Sequence, residues 1–100
     1  MGIIAHRTLV LFYTDHADAT TALEEWFTKT QKADWNTFAD IKKTFNSVDS
    51  IGNQHYVFNI HGNDYRLVAF VKFKIKIKMV YIRYIGTHAD YDKISDHLNL

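Results

Sequence analysis

From Leu67 to Lys78 the chain alternates almost without a break. Leu67, Ala69, Val71, Phe73, Ile75 and Ile77 are apolar, and Lys72, Lys74, Lys76 and Lys78 fall between and after the last of them. A period of two puts successive side chains on opposite faces of a strand, so this stretch belongs in a sheet with one apolar and one cationic face. It cannot run unbroken if the chain is to return through a second apolar run, Val80 to Ile85. A turn is therefore expected within Lys74 to Lys78. The lysines have two open readings: contact with phosphates, or protection of a β-prone segment against edge-to-edge pairing.

Upstream, Val57, Phe58 and Ile60 form another β-branched and aromatic run. His61-Gly62-Asn63-Asp64 follows, with residues that tolerate positive φ, and Tyr65 restarts the apolar pattern, which describes a tight antiparallel hairpin. Gly62, Asn59 and Asn63 read as shaping this hairpin. The N-terminal part is helical by spacing. After a short strand at Gly2 to Ala5, Leu9, Phe12 and Tyr13 make one buried face, and Leu23, Trp26 and Phe27 make a second, with Thr21 and Glu24 placed as a capping box if that helix starts as late as Thr21. Asn36 is positioned to cap a third helix striped by Phe38, Ile41 and Phe45, with Lys42 and Lys43 outward. Trp26 and Trp35 read as core rather than as stacking platforms. Ser47 to Asn53 has turn composition, and Thr87 followed by Asp90 has the layout of a final helix start.

Strand, two helices, a third helical segment, three antiparallel strands and a tail helix give an α+β fold, helices on one face of a small antiparallel sheet. One hundred residues without a proline support a single domain over 1–100. The longest early apolar run, Leu9 to Tyr13, is far short of a membrane span and no signal-peptide layout precedes it, so the expected location is cytoplasmic. Having no cysteine removes thiol nucleophiles and thiolate metal sites. The net charge of +1 hides an asymmetry: residues 1–40 carry 3 Lys and Arg against 6 Asp and Glu, and residues 41–100 carry 9 against 5. The basic half is the one with the strands, and such a surface attracts phosphates.

Val57 to Phe70, VFNIHGNDYRLVAF, followed by Tyr81 to Ile94, YIRYIGTHADYDKI, resembles the HigB family of type II toxins in the RelE/ParE superfamily. Lys32 to Ile51, KADWNTFADIKKTFNSVDSI, extends the likeness upstream. The resemblance implies a RelE/ParE-like fold and a ribosome-dependent mRNA endonuclease. It implies as partners a HigA-like antitoxin with a helix-turn-helix domain, the ribosome and mRNA, with operator DNA reached only through the antitoxin.

The residues suit that chemistry without a cofactor. No phosphate-binding glycine loop, dinucleotide fingerprint or HExxH is present, and no two of the six histidines sit at ligand spacing on one predicted helix, so no metal is expected. A cationic sheet face beside a histidine and a tyrosine fits cleavage of RNA through its own 2′-hydroxyl. His88 is the candidate acid or base, and Arg66 and Arg83 are candidates for holding phosphate oxygens. Tyr91 is placed to orient the nucleophile or stack on a base, and equally to anchor the tail helix together with Ile94 and Leu98. Lys72, Lys74 and Lys76 would add phosphate contacts. Two competing readings remain: a non-catalytic module binding RNA or protein on the same face, and a gyrase-poisoning relative.

Overall fold

The computed structural model describes residues 1–73 and 76–97. Strand β1 (Gly2–Ile4) leads into helix α1 (His6–Asp15), a short 3-10 turn (Ala17–Ala19) and helix α2 (Thr20–Lys32). Helix α3 (Phe38–Thr44) precedes four strands, β2 (Val48–Gly52), β3 (His55–Ile60), β4 (Tyr65–Lys72) and β5 (Met79–Thr87), and helix α4 (His88–Asp92) follows them. The sheet order is β1-β5-β4-β3-β2, antiparallel throughout except that β1 runs parallel to β5. The architecture is the expected α+β one, with two strands in the sheet beyond the three that the sequence marked most clearly.

One face of the sheet makes the core. Tyr56, Phe58 and Ile60 of β3, Tyr65, Leu67, Ala69 and Val71 of β4 and Val80 of β5 pack with Leu9, Leu23, Trp26, Trp35 and Ile41. Both tryptophans are core, as their spacing predicts, and Trp35 satisfies its indole N–H on Thr44 Oγ1 at 3.0 Å. The alternation expected from Leu67 holds through Phe73 and no longer holds at Ile77. Ile77 is 71% exposed, and Lys78 turns away to donate to Asp34 Oδ1 and Asn36 Oδ1, each at 2.6 Å. Lys74 and Ile75, part of the expected turn region, lie outside the described residues, as does Leu98.

Three local expectations need correction. Thr21 and Glu24 form no capping box: α2 begins at Thr20, and Glu24 instead meets His6 Nε2 at 2.7 Å and the Tyr13 hydroxyl at 3.0 Å. The cap of α3 is Thr37, one residue after Asn36, in a full capping box with Asp40. Ser47 to Asn53 is not simply a turn, because Val48–Gly52 is an edge strand whose Val48 is buried opposite Phe58. The β3–β4 hairpin is as expected, with positive φ at His61 (53°) and Gly62 (65°).

Candidate active site

The second face of the sheet carries His55, Val57 and Asn59 on β3, and Arg66, Val68, Phe70 and Lys72 on β4. On β5 it carries Tyr81, Tyr84 and Gly86, as their register with β4 requires. No helix of the α1–α3 layer covers it. At one end of this face the β3–β4 turn and the start of α4 come together, because the His88 N–H donates to Asp64 O at 2.9 Å and Thr87 Oγ1 accepts from the Asp90 N–H at 3.1 Å. The threonine cap read from the sequence thus aims His88 back across the sheet edge.

His88 lands on Arg66. Nη2 of Arg66 donates to His88 Nδ1 at 2.6 Å and to Asn63 Oδ1 at 2.7 Å, while Nη1 donates to the carbonyls of Asn63 and Tyr65, each at 3.2 Å. Arg66 is 9% exposed, and both terminal nitrogens of its guanidinium are occupied. Nδ1 faces two groups, the Arg66 guanidinium at 2.6 Å, which can only donate, and the Asn63 carbonyl at 3.3 Å, which can only accept; the much shorter charged contact makes Nδ1 the acceptor and puts the ring proton on Nε2. That nitrogen lies 2.7 Å from Asp92 Oδ2, four residues on along α4, on a carboxylate with 59% exposure. Asn63, Arg66 and His88 are therefore joined by hydrogen bonds that start at the exposed β3–β4 turn, and Asp92 stands at ion-pair distance from the far side of the imidazole.

Tyr91 lies beside this cluster. Its ring stacks on His97 at 3.9 Å and 10°, and Tyr84 is 6.2 Å away. Burial holds its hydroxyl above the ordinary tyrosine range; Arg66 pulls the other way, and Asp49 and Asp92 add to the rise. Tyr91 is therefore a proton donor at neutral pH as well as an anchor for the tail. Burial also raises Tyr84, with Asp90 contributing. Gly86 stands opposite Arg66, and a Cβ there would sit 2.6 Å from Cζ of Tyr84, so the glycine is what lets the Tyr84 ring lie down on the sheet.

The other sequence candidates are placed elsewhere. Arg83 is exposed and is the residue left over where the β4–β5 register shifts between Val68 and Ala69; no described contact joins it to Arg66 or His88. Lys72 is six residues along β4 from Arg66, about 20 Å at 3.3 Å per residue, with its ammonium over the rings of Phe70 and Tyr81. Lys76 is exposed and lines a recess with Met1, Gly2, Asp34 and Lys78. Arg66, His88 and Tyr91 are thus gathered, and Arg83, Lys72 and Lys76 are not. Asn63 and Asp92 join the cluster unannounced, although the four-residue spacing of His88 and Asp92 on a helix was a readable signal.

One further group of possible ligands appears on the helix side of the same turn. Asp18, His61 and Asp64, all exposed, offer atoms within 4.8 Å of one another. Asp18 also accepts from the Tyr65 hydroxyl and Asp64 pairs with His61 at 2.7 Å, so these groups already satisfy one another.

A family model described as HigB toxin, the RelE-like toxic component of a toxin-antitoxin system, matches residues 19–94. The chain belongs to the HigB toxin family. Every residue of the cluster from Asn63 to Asp92 lies inside the matched span. This HigB-family chain is 28% identical over 76 residues to the mRNA interferase HigB of Escherichia coli O6:H1 strain CFT073, covering 74% of this chain and 72% of that one. It is 43% identical over 54 residues to the mRNA interferase toxin HigB of Escherichia coli K12, covering 52% and 50%, and to the mRNA interferase HigB of Shigella flexneri with the same figures. The more identical matches thus span half the length of those relatives. No helix among the described residues is long and apolar enough to cross a membrane.

Proposed function

We propose that this toxin is an mRNA interferase that cleaves mRNA on the ribosome through the substrate's own 2′-hydroxyl, without a metal, at the end of the second sheet face where Arg66, His88 and Tyr91 gather. The observation that carries the reading is the hydrogen bonding of both terminal nitrogens of Arg66. A buried cation that spends Nη2 on an imidazole nitrogen fixes the ring's orientation and its tautomer, and that is of use where the opposite ring nitrogen has work to do. Nε2–H then faces solvent, with an exposed carboxylate that can yield its place to a substrate oxygen.

In the reaction the 2′-hydroxyl gives its proton to the exposed Asp92 carboxylate, the 2′-oxygen attacks phosphorus to close a cyclic phosphate, the P–O5′ bond breaks, and one donor proton goes to the leaving 5′-oxygen. His88 Nε2–H and the protonated Tyr91 hydroxyl are two donors suited to oxygens that gain charge along this path. Arg66 is a positioning residue that also contributes a fixed positive charge. A ribosome that orients the substrate explains how so few groups suffice. By the same reading the toxin is cytoplasmic and is neutralised by a HigA-type helix-turn-helix antitoxin, through which alone the pair meets operator DNA.

The test is induced expression of the wild-type chain in a bacterial host beside His88→Ala and Arg66→Ala, with mRNA ends mapped from the same cultures. Growth arrest with new codon-phased ends in the wild type, and neither in the folded variants, supports the reading. Normal growth with folded wild-type protein and no new ends refutes it and leaves a binding module on the same fold.

A further inference from the structure

The same sheet face has a second, separate cluster at its far end, beyond the buried Val57 and Val68. Phe70 and Tyr81 are cross-strand partners with rings 6.1 Å apart and inclined by 30°, and His55 lies 5.0 Å from Phe70 on the other side, inclined by 34°. The Lys72 ammonium stands 5.8 Å from the Phe70 centroid and 5.9 Å from that of Tyr81. Phe70, Lys72 and Tyr81 are each partly exposed, and Ile4, opposite Tyr81 on β1, is 50% exposed beside them. A row of rings with a cation above it, on a face free of the helix layer, matches in composition the surfaces that hold single-stranded nucleic acid: bases stack on rings and the cation meets a phosphate.

His55 supplies an independent sign of an unfilled site. It is 8% exposed, its Nδ1 donates to Asn53 O at 2.8 Å, and its Nε2 is buried with no hydrogen-bond partner. With Nδ1 donating, Nε2 of the neutral ring is an acceptor, and a buried acceptor without a donor is uncommon enough to call for a reason. A base amino group is a donor of the required kind.

We infer that His55, Phe70, Lys72 and Tyr81 form a nucleobase-stacking subsite for single-stranded RNA, holding a part of the same strand some nucleotides away from the bond cut at His88. The inference rests on the RNA-cleaving reading for its choice of strand. The occupant is RNA because the platform joins positive charge to aromatic faces and shares one sheet face with the Arg66–His88 cluster, about 20 Å away along β4. It also gives Lys72 a role that its distance from His88 denies it in the cleavage step.

The test measures binding of full-length protein to a 2′-O-methyl oligoribonucleotide of about ten residues, which the chain cannot cleave by this chemistry, and to the same backbone with abasic residues. The wild type is expected to prefer the strand with bases by about tenfold or more, and Phe70→Leu and Tyr81→Leu to lose that preference. Lys72→Gln should weaken both strands and lower the slope of log affinity against log salt by roughly one. Thermal melting shows whether each variant is folded. Equal binding of the two strands by the wild type, no binding at all, or wild-type binding by folded aromatic variants overturns the subsite. If the aromatic variants do not fold, Lys72→Gln decides, and an unchanged affinity and slope overturn it. A chain that shows this preference and still cuts no mRNA in cells retains the subsite and loses the interferase reading, so the two failures are separable.

Discussion

Arg66→Lys separates an arginine that works through His88 from one that works on the substrate. The guanidinium spans four acceptors at once: two carbonyls through Nη1, and Asn63 Oδ1 and His88 Nδ1 through Nη2 at 2.7 and 2.6 Å. A single ammonium nitrogen keeps the charge and cannot cover that spread. Hydrogen bonds from a charged donor are worth about 1.5–3 kcal/mol each, and a lysine that re-forms some of them leaves a net loss of about 2 kcal/mol. In a domain of this size that is a fall of about 8–16 °C in Tm, so the variant remains folded at room temperature. Cleavage is expected to drop by about 10²-fold, the low end of what a positioned proton-transfer group contributes. The assay is a double-mutant cycle of cleavage rates with His88→Ala. If Arg66 acts through the imidazole, the double variant is no slower than His88→Ala alone, a coupling of about 2.7 kcal/mol for a 10²-fold effect. Nitrogen-15 shifts of His88 supply a readout that stability alone does not move: protonation on Nε2 in the wild type, and a mixture of tautomers in Arg66→Lys. A double variant that loses both factors in full, with the tautomer unchanged, refutes the positioning role.

Three further outcomes follow from the same geometry. Tyr65 has its pKa pushed up to about 12 from 10.0, first by donating to Asp18 and then by burial and the charges of Asp18 and Asp64. The native state therefore favours the protonated phenol, and this contribution to stability is complete below pH 10 and lost as the pH rises towards about 12. Asp18→Asn should bring one late tyrosine back towards the ordinary range in an absorbance titration, and an unchanged curve would count against the bond. Gly86→Ala pushes the Tyr84 ring off the sheet, so near-ultraviolet circular dichroism should change, and cleavage should fall at least tenfold if the tyrosines help to frame His88; a wild-type rate would show that they do not. Thr37→Ala removes the cap of α3 and should cost about 1 kcal/mol in urea unfolding, whereas Asn36→Ala, whose side chain is not the cap, should cost less.

Much of this was legible because burial imposes periodicity. The alternation from Leu67 through Phe73, the tryptophan positions, the positive φ at His61 and Gly62, and the Thr87 cap all follow from local rules that the structure obeys. What escaped depends on partners distant in sequence. Strand β2 owes its extended form to β3 rather than to its own Asp49, Ser50 and Gly52, and Glu24 was drawn from capping by His6 and Tyr13. Arg83 illustrates the limit of counting by twos. Unbroken alternation from Tyr81 would have put it on the second face, but the register shift leaves it over and restores Tyr84 to that face instead. The pairing of Arg66 with His88, 22 positions apart, needed a closed hairpin and a docked α4 before it existed.

The parallel pairing of β1 with β5 joins Ile3 to Val80. During synthesis at about 5–20 residues per second, the first strand waits roughly 4–15 s for its neighbour in the sheet. Arg66, His88, Tyr91 and Asp92 all belong to the last 35 residues of the 100. A truncated or stalled product would thus hold most of the helical layer, an unpaired N-terminal strand and none of the assembled cluster. On the reading of the cluster proposed above, the poison is armed only once the chain has been made as far as Asp92, and a fragment that stops short of His88 lacks the imidazole that Arg66 holds.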